Sequence, residues 1–80
     1  MILIDVVVPP LNESFDFEVD ENKNVLEFKR DVETLIEEKE HKKFGIALRE
    51  LFHYRVGEFL RETGTLGEQG IKNGDRIILI

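Results

Sequence analysis

Two early stretches of the chain set apolar residues at every second position, the period of a half-buried β-strand. In residues 2–8, Ile2, Ile4, Val6 and Val8 fall on one face and Leu3, Asp5 and Val7 on the other. Pro9-Pro10 ends this strand, because proline has no N–H to give to a ladder, and Leu11-Asn12-Glu13 completes a turn. Residues 14–20 alternate again, with Phe15, Phe17 and Val19 inward and Ser14, Asp16 and Glu18 toward solvent. So short a connection between alternating strands predicts an antiparallel hairpin with one face on a core and one in water.

The period then changes. Val25, Phe28, Val32, Leu35 and Ile36 recur at helical spacing and form one apolar stripe. Asn24 is placed to cap the helix, with Glu27 three residues on. Acids gather early (Glu27, Asp31, Glu33) and Lys39, Lys42 and Lys43 gather late, as the helix dipole favours. Gly45 is the expected left-handed residue after the helix, with Ile46 as its hydrophobic contact. The helix is therefore expected over residues 25–43.

Residues 46–63 fit two periods. Leu48, Leu51, Phe52, Val56, Phe59 and Leu60 suit a helix, but Phe52-His53-Tyr54 and Phe59-Leu60 flank Arg55-Val56-Gly57, a plausible tight loop. The hairpin is the expectation. A two-residue loop would set Val56 opposite Phe59. A three-residue loop with Gly57 left-handed pairs Phe52 with Leu60. The second arrangement is taken here; it buries Phe52, Tyr54 and Leu60 and leaves His53 and Phe59 on the outer face.

Thr65-Leu66-Gly67-Glu68 reads as a capping box on one short turn, ended by Gly70. Ile71 follows as a core plug, and Asn73-Gly74 as a turn with cheap positive φ. Residues 76–80 form the last strand, with Ile77 and Leu79 inward and Arg76, Ile78 and Ile80 outward.

Composition narrows the function. Eighty residues make one domain with a modest core, worth about 5 kcal/mol net. The absence of cysteine removes disulfides, thiolate metal sites and thiol nucleophiles. No apolar run is long enough to span a membrane, and the opening residues lack the basic start of a signal peptide. A net charge of −6 and a pI near 4.9 argue against nucleic acid and anionic lipid as partners.

The order strand, strand, helix, strand, short strand, turn, strand resembles the β-grasp, the ubiquitin-like fold. Gly45-Ile46 resembles the Gly-Ile after the ubiquitin helix, and Leu60, Thr65-Leu66 and Ile71 fall at ubiquitin-like spacing. The closing GIKNGDRIILI of residues 70–80 resembles the G-I-x-N-G-D-x-hydrophobic ending of YukD/EsaB-type proteins. These are small ubiquitin-like accessories of the type VII (Ess/ESX, WXG-protein) secretion systems of Gram-positive bacteria. Ubiquitin-like cytoplasmic domains of type VII membrane components carry a similar ending. The resemblance implies an α+β fold, a mixed sheet of four to five strands packed on one main helix, in a single domain over residues 1–80. The helix would be longer than ubiquitin's by about two turns. It also implies a cytoplasmic, non-enzymatic interaction module. Conjugation and sulfur transfer need a Gly-Gly tail, and the chain stops at Ile80, so neither is expected; a carrier role would need residues beyond Ile80. A small subunit of another multiprotein complex is the alternative.

Catalytic and metal chemistry find little footing. His41 lies in a run of Glu and Lys near a helix end, without a second His or Cys at metal spacing. His53 is expected exposed on the outer sheet face. The pairs Glu37-Glu38 and Asp20-Glu21 have no apolar pocket to raise a pKa. One Asp and an amide in Asn73-Gly74-Asp75 do not make an oxygen cage. No catalytic, cofactor-binding or metal residues are therefore expected. The candidate is the outer face itself. In a β-grasp the last strand lies between the first and third, so Ile78 and Ile80 would neighbour Leu3, Val7, Leu51 and His53. These six form the expected partner-binding patch, for a secretion-machine component, a secreted-protein complex or a second copy in a homodimer.

Overall fold

The computed structural model describes residues 1–45 and 49–80. β1 (Ile2–Val8) and β2 (Glu13–Val19) pair antiparallel, from Ile2 opposite Val19 to Val8 opposite Glu13. A short 3₁₀ turn at Pro9–Leu11 joins them, closed by Asn12 in the left-handed region. Helix α1 (Val25–Glu40) follows, then β3 (Leu51–His53), β4 (Glu58–Phe59) and β5 (Arg76–Leu79). The sheet order is β2-β1-β5-β3-β4. β5 runs parallel to β1 and antiparallel to β3. This is the ubiquitin-like β-grasp: a mixed five-stranded sheet on one main helix.

The core forms where the two periodicities meet. Ile4, Val6 and Val8 of β1 and Ile77 and Leu79 of β5 are fully buried against Val25, Phe28, Val32 and Ile36 of α1. Phe15 and Val19 close one side, and Phe17 meets Phe28 edge to face at 5.6 Å. Lys29 also lies on the buried side of α1. Its stem is packed, and its ammonium reaches the exposed Glu62 carboxylate at 3.4 Å.

Asn24 caps α1 as its type predicts, its Oδ1 accepting from the N–H groups of Leu26 (2.9 Å) and Glu27 (3.4 Å). The helix ends earlier than expected. His41 takes the left-handed conformation (φ 56°) that the sequence suggested for Gly45, and the Phe44 N–H is taken up by Glu37 Oε2 at 2.8 Å. Lys42 and Lys43 therefore fall outside α1, which spans 16 residues. The expected Ile46 contact lies outside the described residues.

The segment before β5 ties the helix start to the sheet. The Val25 N–H donates to Gly64 O, the Leu66 N–H to Lys23 O and the Gly67 N–H to Glu21 O. A Cβ on Gly67 would stand 3.2 Å from Glu21 O, a tight contact that a side chain there could make only by displacing the Glu21 backbone by a few tenths of an ångström. The capping box is reciprocal: Glu68 N–H donates to Thr65 Oγ1 (3.1 Å) and Thr65 N–H to Glu68 Oε1 (3.3 Å). Leu66 and Ile71 are buried beneath it.

The β3–β4 hairpin corrects one expectation. Gly57 is left-handed (φ 79°) as expected, but the loop is one residue longer. His53 opposes Glu58 and Phe52 opposes Phe59, while the Leu60 N–H donates to Leu51 O at 2.8 Å. Strand side chains alternate with period two, so this shift turns Leu51 and His53 inward and Phe52 and Tyr54 outward. Leu60 is buried and Phe59 exposed, as expected.

Candidate functional site

The register assembles the outer face row by row. Ser14 opposes Val7, Val7 opposes Ile78, Ile78 opposes Phe52, and Phe52 opposes Phe59. One row thus crosses all five strands and is apolar from Val7 onward. The Phe52 and Phe59 rings meet edge to face at 5.1 Å. Leu3 (47% exposed) and Ile80 (55%) lie toward opposite ends of the face, and Phe59 is 52% exposed. Val7, Phe52 and Ile78 are half-buried by their neighbours.

Of the six residues expected to form the patch, Leu3, Val7, Ile78 and Ile80 stand on this face. Leu51 and His53 do not: they are 3% and 1% exposed, on the core side. Phe52, Phe59 and Tyr54 take their place. Sequence reading missed Phe52 and Tyr54 because hydrophobicity alone assigns Phe-His-Tyr with the aromatic residues inward.

A second row carries charge. Asp5 opposes Asp16 on one side and Arg76 on the other. Arg76 Nε donates to Asp5 Oδ2 at 3.0 Å and its guanidinium lies 6.0 Å from the Tyr54 ring centroid. One strand step further, Glu18 opposes Leu3. Among the described residues neither Asp16 nor Glu18 forms an ion pair.

Beneath the face lies a polar cluster that the sequence did not announce. His53 Nε2 and Asp75 Oδ2 are 2.9 Å apart and both residues are buried. Arg55 reaches the same carboxylate through Nε (2.8 Å) and Nη2 (3.1 Å), and the Lys72 N–H donates to it at 2.8 Å. Nη2 of Arg55 also donates to Gly70 O. The Arg55 guanidinium holds the Asp75 carboxyl well below the usual carboxylate range, against burial, which pushes it up. The Lys72 amide and His53 add to the lowering. Asp75 therefore stays ionised in every neutral buffer and links β3, its loop and the start of β5.

A His–Asp pair invites an acid–base reading. A pocket of about 360 Å³ borders His53, walled in part by Glu58, Leu60, Glu68 and Gln69, and among the described residues no hydroxyl or thiol lines it. The pair has no nucleophile there to activate, and its hydrogen bonds are those of a structural brace. No group of three or more His, Asp or Glu able to hold a metal occurs among the described residues. Among these residues no helix is long and apolar enough to cross a membrane.

No protein-family model matches the chain, and no curated protein sequence matches it. Solved structures do. Ubiquitin of Caldiarchaeum subterraneum superposes with TM-score 0.79 at 22% identity, over 99% of this chain and 90% of that one. The ubiquitin-like domain of an Arabidopsis thaliana protein gives 0.78 at 24%, over 99% and 74%. The UBL domain of Plasmodium falciparum Dsk2 gives 0.74 at 18%, over 98% and 93%. At these identities the likeness is one of fold.

Proposed function

We propose that this chain is a non-enzymatic, cytoplasmic protein-interaction module that docks a partner on its outer sheet face, by contact and not by conjugation. We assign it to Gram-positive type VII secretion, where it would meet a component of the secretion machine or a complex of secreted WXG proteins. The observation that carries the docking reading is the apolar row Val7–Ile78–Phe52–Phe59, fixed in register across the sheet and ending on an exposed aromatic ring. Rigid aromatic anchors of this kind give contact area at little entropic cost. The pathway reading rests on the closing residues Gly70, Ile71, Asn73, Gly74 and Asp75, which resemble the ending of the YukD/EsaB-type proteins.

Deleting the gene and measuring export of WXG-type substrates tests the pathway. Export is expected to fall, and unchanged export removes this role. Ile78→Glu on the chromosome separates face from fold. It is expected to keep the circular dichroism spectrum of the native domain and to reproduce the deletion; unfolding instead would overturn the outer-face assignment. Intact mass of the native protein from cells tests the absence of conjugation, since adducts would contradict it.

A further inference from the structure

We infer that the partner of the outer face presents an apolar segment flanked by cations, so that the face recognises a basic amphipathic protein surface. This deepens the docking reading above and rests on it.

The inference comes from what lies beside the apolar row. At the outward positions of the five strands stand three carboxylates, Asp5, Asp16 and Glu18, and one cation, Arg76. Arg76 is already engaged, hydrogen-bonded to Asp5 and lying by the Tyr54 ring. Asp16 and Glu18 are exposed and form no ion pair among the described residues. Asp16 moreover stands directly opposite Asp5, and like charges in opposed cross-strand positions destabilise a sheet. Arg76 offsets this repulsion on the Asp5 side only. A cation brought by a partner would offset it on the Asp16 side.

Geometry sets the spacing such a partner needs. Asp16 is on β2 and Ile78 on β5, two strands away. Neighbouring strands lie about 4.8 Å apart and the two residues are also offset by one row, about 6.7 Å along the strands, so the apolar anchor and the cation of the partner should be roughly 12 Å apart. A second copy of the chain fits poorly. It would bring the same unpaired carboxylates, from a molecule of net charge −6, and its Arg76 is occupied. Phosphate-bearing partners would meet the same repulsion.

The test uses the full chain and two synthetic peptides of identical apolar pattern, an amphipathic leucine/lysine peptide and its leucine/glutamate counterpart. Titration is followed by amide NMR shifts at about 0.15 M salt, where charges beyond about 8 Å are screened. The leucine/lysine peptide is expected to bind and to shift Val7, Asp16, Phe52, Phe59 and Ile78. Asp16→Lys with Glu18→Lys is expected to weaken it about tenfold and to gain binding of the leucine/glutamate peptide. Phe59→Glu is expected to abolish both interactions. Equal binding of the two peptides by the native chain, shifts confined to the helix around Glu37 and Glu38, peptide binding that survives Phe59→Glu, or concentration-dependent self-association through the same face would each overturn the inference. The two readings fail separately. If Ile78→Glu abolishes export and the double lysine variant leaves it unchanged, docking on the face stands and its preference for cations falls.

Discussion

Asp75→Ala is the substitution that most directly tests the physical account of this fold. The carboxylate accepts four hydrogen bonds: two from Arg55 and one each from His53 and the Lys72 amide. Arg55 is about half exposed and turns to water when its partner is removed, and Lys72 is exposed as well. His53 has no such escape, being 1% exposed with Nε2 aimed at the missing group. No buried side-chain nitrogen or oxygen lacks a partner in the native chain among the described residues. The variant creates one such orphan. Leaving a buried polar atom unpaired costs about 1–3 kcal/mol, and a hydrogen bond to a charged group contributes about 1.5–3 kcal/mol. The expected loss is about 3 kcal/mol, much of the stability of a domain this size. With a urea slope of about 1 kcal/mol per molar, the unfolding midpoint should fall by about 3 M. Adding His53→Phe removes the orphan and should restore part of that loss, because replacing both buried partners by apolar groups avoids the desolvation cost. Acid provides a second readout. The folded Asp75 carboxyl is held below its unfolded value, so its contribution is complete above about pH 4 and is lost as pH falls further. Urea midpoints measured between about pH 4 and pH 2 should fall less steeply in Asp75→Ala than in the native chain. A midpoint shift under about 1 M at neutral pH, or unchanged acid sensitivity, would refute the reasoning.

Three further substitutions test other joints. Ile71→Ala empties a site that is 2% exposed and should cost about 2–4 kcal/mol, seen as a fall in Tm of roughly 10–25 °C. Asn24→Ala removes the acceptor for the Leu26 and Glu27 N–H groups and a donor to Gly64 O at 3.2 Å, for a loss of about 1–2 kcal/mol by urea denaturation. Gly57→Ala meets nothing within 4 Å at its new Cβ. Its expected cost of about 1 kcal/mol is therefore conformational, from φ 79° alone, and a larger loss would point to a contact the hairpin geometry does not contain.

Most of the fold was legible because it is locally encoded. The period-two faces of β1, β2 and β5, the Asn24 cap, the Thr65–Glu68 capping box and the buried Ile71 each follow from neighbours a few residues apart. The helix end was not legible. The absence of a Cβ makes Gly45 the natural left-handed residue, yet His41 takes that conformation, and histidine is among the types enriched there despite its side chain. The inward face of β3 was not legible for a longer-range reason. Burying His53 requires an acceptor, and that acceptor is Asp75, 22 residues away.

This distance connects the cluster to the face above it. Loops of two, three or four residues around Gly57 are all compatible with the local sequence, and they differ in which β3 side chains share a face. By hydrophobicity, Phe52 and Tyr54 are the better residues to bury, and the register opposes that preference. In the opposite register His53 would turn to solvent and Asp75 would lose its buried partner, while Arg55 would shift by one strand position from the carboxylate it grips through two nitrogens. The opposite register would leave the buried Asp75 carboxylate short of partners, a penalty larger for a charged group than for a neutral one, and would turn Leu51 out of the core. The polar brace therefore selects the register. The same choice sends Phe52 outward to meet Ile78 and Phe59. The apolar row of the candidate face thus depends on the His53–Asp75 pair, which is itself buried. Substitutions at His53 or Asp75 should then weaken docking through loss of register, with amide shifts that begin in β3 and β4.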